Sequence, residues 1–211
     1  MKQENKELKQ NKYINTLITK FTNYIKYTNN LVDINKYLQS SNKSEELRCY
    51  IKYSLKQLNQ SCYKAVILRE RRKELRDDII DLQRQYVNAD NLDISEVGRN
   101  TGGKTNHVEL RHIKIIELQE KLDELTNTSL NLESSLKDNK DMCSEVFDLI
   151  LNESQATIMK LYYINCWSAS RISIELYYTR DAVNSCIKRA IKNITKYLIL
   201  NNLVVNSSNS K

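Results

Sequence analysis

In 211 residues there is no proline and there are only three glycines, so the tight reversals that a sandwich, barrel or doubly wound sheet needs at its strand ends have almost no residues to make them. An all-α fold is therefore expected. Length allows one or two domains, and a hydrophobic content of 40% is enough to bury a real core.

Periodicity then divides the helices. From about His107 to Leu151 a three-four repeat runs through Val108, Arg111, Ile115, Leu118, Leu122, Leu125, Ser129, Leu132, Leu136, Asn139, Cys143, Val146 and Ile150, which is a coiled-coil seam. From Glu45 to about Val87, Leu47, Ile51, Leu55, Leu58, Cys62, Ala65 and Leu68, then Leu75, Ile79, Leu82 and Tyr86, fall on one side of a second long helix. Each would be roughly 66 Å long at about 1.5 Å per residue. Equal lengths joined by a glycine-containing loop at about 88–106 favour an antiparallel hairpin within one chain, with a parallel dimer as the competing arrangement. Ser129 and Asn139 are polar seam positions suited to fixing register. Arg69 to Lys73 form a basic cluster that Glu70, Glu74, Asp77 and Asp78 can pair at helical spacing, so a solvated face is expected there. An amphipathic helix from about Lys6 to Leu38, breaking near Asn29-Asn30, precedes the hairpin. The expected divisions are 1–44, 45–153 and 154–211, the last with a short polar tail.

Residues 154–198 read as three short helices in a helix-turn-helix. The first carries Ile158, Leu161 and Tyr162 and ends at Asn165, a residue type that tolerates the left-handed conformation. Asn165-Cys166-Trp167 is the first turn, Ser168 caps a second helix with Ile172 and Leu176 inward, and Thr179 caps a third beginning at Arg180. In that third helix Val183, Ile187, Ala190, Ile194 and Leu198 make one narrow apolar stripe at about 100° per residue. Asp181, Asn184, Ser185, Lys188 and Lys192 fall opposite it, with Arg180 beside them at the helix start. Arg can fork onto guanine, Asn onto adenine, an acid can accept from cytosine, and lysines suit phosphates.

This segment resembles region 4 of the sigma-70 family. That pattern is an apolar helix ending in Tyr-Tyr, a turn, a short helix with Glu-Ile-Ala, a Ser or Thr cap and a basic recognition helix. Here those places are held by Leu161-Tyr162-Tyr163, Asn165-Cys166-Trp167, Arg171-Ile172-Ser173, Thr179 and Arg180 to Ala190. With the long hairpin before it, the chain is similar to phage-encoded regulators of the ArpU and RinA late-transcription type. It departs from the pattern at Asn165 and Tyr177, where glycine is common, and at Arg171, where Glu is usual. The resemblance implies that Arg180, Asp181, Asn184 and Ser185 match base-facing positions. Double-stranded DNA is the expected partner, with host RNA polymerase a candidate second one, and the coiled-coil seam leaves a homodimer through the helical region as a further candidate. Nothing resembles the sigma region that melts a promoter, so a self-sufficient sigma factor is not expected.

Charge agrees with that placement. Residues 1–40 carry seven lysines against three acids, residues 41–153 eighteen basic residues against twenty-one acids, and residues 154–211 eight against two. The excess is thus concentrated where a phosphate-binding surface is expected. Five scattered cysteines, Cys49, Cys62, Cys143, Cys166 and Cys186, form no C-x-x-C pair and suit a reduced, cytoplasmic setting, with Cys62, Cys143 and Cys186 acting as small buried hydrophobes. His107 and His112 are five apart and do not share a helix face, so no metal is expected. There is no run long enough for a membrane span. Gly98 to Thr105 matches the phosphate-loop pattern G-x-x-x-x-G-K-[ST], yet that chemistry needs a preceding strand and a parallel sheet. Coiled-coil helices flank it instead, so a hairpin tip rather than a nucleotide site is expected, and neither enzymatic activity nor a cofactor. Rival readings are a small terminase subunit and a structural coiled-coil adaptor. The wealth of Asn, Lys, Ile and Tyr fits an AT-rich phage or prophage.

Overall fold

A computed structural model describes residues 2–38, 43–92 and 105–208. Among them there is no strand. The helices are α1 (Lys2–Thr28), α2 (Asn35–Leu38), α3 (Ser44–Leu92), α4 (Thr105–Ile150), α5 (Glu153–Met159), α6 (Ala169–Glu175) and α7 (Arg180–Ser208), with a π-helical turn, Lys160–Ile164, following α5. The chain is all-α, with an antiparallel hairpin of α3 and α4, an N-terminal helix and a C-terminal helix-turn-helix. The phosphate-loop motif lies outside the described residues apart from its last residue, Thr105. The helices reach further into the expected loop than 88–106, since α3 continues to Leu92 and α4 starts at Thr105.

Contacts group the chain into two compact units, residues 1–63 with 135–211 and residues 64–134. The unit of residues 64–134 is a pair of antiparallel helices. Arg69 Nη2 donates to Glu133 Oε1 at 3.1 Å, and Arg72 Nη1 to Ser129 Oγ at 3.1 Å, so higher numbers on α3 meet lower numbers on α4. Ala65, Leu75, Ile79 and Ile115 are buried in the seam. Arg72 corrects the expectation of a wholly solvated basic cluster. Its position continues the three-four spacing from Ala65 and Leu68, so the stem is drawn into the seam while Arg69 and Arg71 stay exposed.

Ser129, fully buried, completes a short polar layer: it accepts from Arg72 and donates to Glu133 Oε1 at 3.4 Å. The Arg72 Nε atom is buried without a partner. A buried donor left unpaired costs about 1–3 kcal/mol, so Ser129→Ala, which removes an acceptor as well, is expected to destabilise the hairpin by a similar amount in urea unfolding. The apolar pair Arg72→Leu with Ser129→Ala is expected to recover or exceed wild-type stability, because a well-packed apolar layer avoids the desolvation of a charge. A double variant no more stable than Ser129→Ala would show that the layer contributes net stability.

In the unit of residues 1–63 and 135–211, α1 buries Leu17, Phe21 and Ile25, the start of α3 buries Leu47, Ile51, Leu55 and Leu58, and the end of α4 buries Cys143, Val146 and Phe147. The N-terminal helix is interrupted at Asn29-Asn30, the expected break, so that α1 ends at Thr28 and α2 takes the chain to Leu38. Asn30 there adopts φ 51°, and the Leu31 amide returns to the Lys26 carbonyl at 3.0 Å, a glycine-type helix stop made by asparagine. Asn29 then ties α1 to α3, its amide donating to the Tyr50 carbonyl at 3.2 Å and Ser54 Oγ at 2.8 Å, while the Tyr24 hydroxyl donates to the Ser54 carbonyl at 3.1 Å. Burial pushes the Tyr24 phenol well above its ordinary range, which keeps it a neutral donor. Burial likewise pushes the Cys62 thiol up to about 11, and raises that of Cys143, so both remain protonated packing residues at neutral pH.

Candidate nucleic-acid interface

The helix-turn-helix is built by a series of local stops and starts. Asn152 Oδ1 accepts from the Gln155 amide at 2.9 Å and begins α5. The chain then widens into the π turn, where the Asn165 amide bonds the Lys160 carbonyl at 3.0 Å. That extra residue rotates Tyr163, rather than Leu161 or Tyr162, fully into the core; those two are half-buried. Asn59 of α3 donates to the Tyr162 carbonyl at 2.8 Å, and the Cys166 thiol donates to the Asn59 carbonyl at 3.4 Å, joining the first turn to the long helix.

The left-handed residue of the first turn is Cys166, at φ 58°, and not the expected Asn165, whose φ of −89° and ψ of −1° are right-handed. The π turn postpones the reversal by one residue, and the Trp167 amide then reaches back to the Leu161 carbonyl at 2.9 Å. Ser168 Oγ accepts from the Arg171 amide at 3.2 Å, capping α6 as expected, and Ile172 is its fully buried residue. Arg171 sets its guanidinium 4.1 Å from the centre of the Trp167 ring, a cation–π attraction between α6 and the first turn.

The second turn closes on Tyr177 at φ 56°, with the Tyr178 amide bonding the Ser173 carbonyl at 2.9 Å and the Tyr177 amide bonding the Ile174 carbonyl at 3.4 Å. This is the paired-bond helix stop that glycine makes most readily. An L-residue in this conformation costs about 1–2 kcal/mol, and Tyr177 is 95% exposed, so its ring returns little packing. Tyr177→Gly is accordingly expected to stabilise the protein by about 0.5–1 kcal/mol after the greater unfolded-state freedom of glycine is counted, a rise on the order of 2 °C in melting temperature for a chain of this size. A fall in melting temperature would show that the exposed ring has a structural contact.

Thr179 Oγ1 accepts from the Ala182 amide at 3.1 Å, so α7 starts at Arg180 as the cap requires. It continues to Ser208, taking in part of the expected polar tail, because residues 199–205 offer no breaker. Val183, Ile187, Ala190, Ile194 and Leu198 are buried, but so are Cys186, Ile191 and Thr195. The buried face is broader than the narrow stripe because α7 packs against α5, α6 and α2 together. Burial raises the Cys186 thiol, with the Arg189 guanidinium opposing it.

On the other side Arg180, Asp181, Ser185, Lys188 and Lys192 are exposed and Asn184 is half-buried at the margin. Five of these six, all but Arg180, line one cleft of about 680 Å³. Its remaining cations, Arg48 and Lys52 of α3 and Arg189 of α7, were missed from sequence. Arg189 could have been found from its place four residues after Ser185, on the same side of the helix. Arg48 and Lys52 carry no local signal, since only the tertiary fold brings them to a cleft that α7 also lines. Among the described residues, no cluster of three or more His, Cys, Asp or Glu could hold a metal ion, and no helix is long and apolar enough to cross a membrane.

Fold and site together define an all-α chain whose helix-turn-helix presents one polar, basic helix face to solvent. Comparison with known proteins adds no relative: no family model, no curated protein and no solved structure matches the chain.

Proposed function

We propose that this chain is a sequence-specific DNA-binding transcription regulator of the phage or prophage late-gene type, which places the start of α7 in the major groove. The observation that supports it best is the pairing of two capped, left-handed turns with an α7 that is buried on one face and leaves Arg180, Asp181, Ser185, Lys188 and Lys192 exposed on the other. In this reading Arg180 and Asn184 meet base edges, Asp181 and Ser185 adjust their preference, and Lys188 and Lys192 hold phosphates. Host RNA polymerase as a second partner, and pairing of two copies through the helical region, belong to the same reading, as does the absence of a catalytic role.

The test is selection of bound duplexes from a random pool by the full chain, followed by comparison of a selected site with its scrambled counterpart. A shared motif bound at least tenfold more tightly than the scrambled duplex is expected. Binding of every duplex alike would remove sequence reading, and binding of none would leave the adaptor reading in its place.

A further inference from the structure

We infer that the first turns of α3 form a second phosphate-binding element, with the sugar-phosphate strand of duplex DNA seated between Arg48 and Lys52 on one wall and Lys188, Arg189 and Lys192 on the other. This rests on the DNA-binding reading above and extends it to a part of the chain that lies well over a hundred residues before the recognition helix.

All five cations line the same cleft, where Asp181 is the one carboxylate among the lining residues. Arg48 and Lys52 are four apart, so they share a helix side, and both are exposed. Arg48 is held at 3.0 Å by Glu45, an exposed pair that contributes little to stability and exchanges readily for a phosphate contact. The fully buried Leu47, Ile51 and Leu55 anchor the same stretch of α3 in the core, so the two cations project from a fixed support rather than from a loop. Like charges gathered on a concave wall repel one another in the free protein. An anionic strand placed between them relieves that repulsion and releases its own counterions, the usual source of non-specific DNA affinity. The cleft runs along the polar face of α7 from Asp181 to Lys192, about three helical turns or roughly 16 Å at 1.5 Å per residue. That span accommodates two to three phosphates of one strand, more than a single small anion would need.

Because phosphate contacts act on every sequence, the test does not depend on the operator. Binding of a fluorescently labelled duplex of scrambled sequence is measured by anisotropy across a sodium chloride series for wild type, for Arg48→Ala with Lys52→Ala, and for Lys12→Ala with Lys20→Ala on α1, which removes the same charge from exposed positions outside the cleft. Unchanged thermal melts confirm that each variant folds. The cleft variant is expected to lose on the order of tenfold in affinity at low salt and to lower the slope of log K against log salt by about 1.8, at about 0.9 per phosphate contact. The α1 variant is expected to keep the wild-type slope. If wild type binds DNA and the cleft variant keeps its slope, or if the α1 variant loses as much, the inference is overturned while the DNA-binding reading stands. If wild type binds no duplex at all, both fall.

Discussion

Val183→Asp is expected to abolish cooperative folding of the unit that contains α7. Val183 has no exposed surface and sits in the first turn of the helix that α5, α6 and α2 pack against. A carboxyl in such a place has its pKa raised by roughly three or more, at about 1.36 kcal/mol for each. With the lost burial of the valine side chain, about 1.5–3 kcal/mol, the expected cost is about 6 kcal/mol, comparable with the whole stability of many domains. The sign of the pH dependence follows. The introduced carboxyl binds its proton more tightly in the folded than in the unfolded chain, so the variant is most stable below about pH 4 and loses stability as pH rises toward the folded-state pKa. Val183→Asn has no such proton to bind and should show no acid recovery. Thermal unfolding followed by circular dichroism at neutral and mildly acid pH provides the measurement. A Val183→Asp protein that melts like wild type at neutral pH would mean that this face of α7 is not packed.

Arg180→Ala and Asn184→Ala are each expected to remove about 1–3 kcal/mol of discrimination between a selected site and its scrambled duplex, a loss of about 5- to 150-fold. Neither side chain is buried in the core, so both variants should melt normally. Lys192→Ala is expected instead to weaken both duplexes alike and to lower the salt slope by about one. The contrast separates base reading from phosphate holding within one helix. If both alanine variants keep full discrimination, α7 does not read sequence, whatever else binds DNA.

Much of the framework was legible in the residues themselves. Caps are local, and Ser168 and Thr179 each bond the amide three positions on, where a capping side chain must. The α4 seam is also local: Ile115, Ser129, Leu136, Cys143 and Val146 are buried at the expected spacing because 3.6 residues per turn returns them to one side. The polar face of α7 was legible for the same reason. Asn165 was misassigned because the preference of asparagine for a left-handed stop is weak, whereas the extra residue of the π turn, which also turns Tyr163 into the core, moved the reversal onto Cys166.

Sequence alone determined the all-α class, the capped starts of α6 and α7, and the side of α7 that carries Asp181, Ser185, Lys188 and Lys192, since each follows from the absence of breakers, from a local cap or from a period along one helix. Tertiary structure decided that Arg72 enters the seam, that α7 is buried on a broad face, and that Arg48 and Lys52 come to line a cleft with cations far along the chain. A repeat records which side of a helix is apolar but not which helix covers it. That choice is made by packing whole faces together, and it is this packing that brings Arg48 and Lys52 to the cleft that Lys188 and Lys192 line.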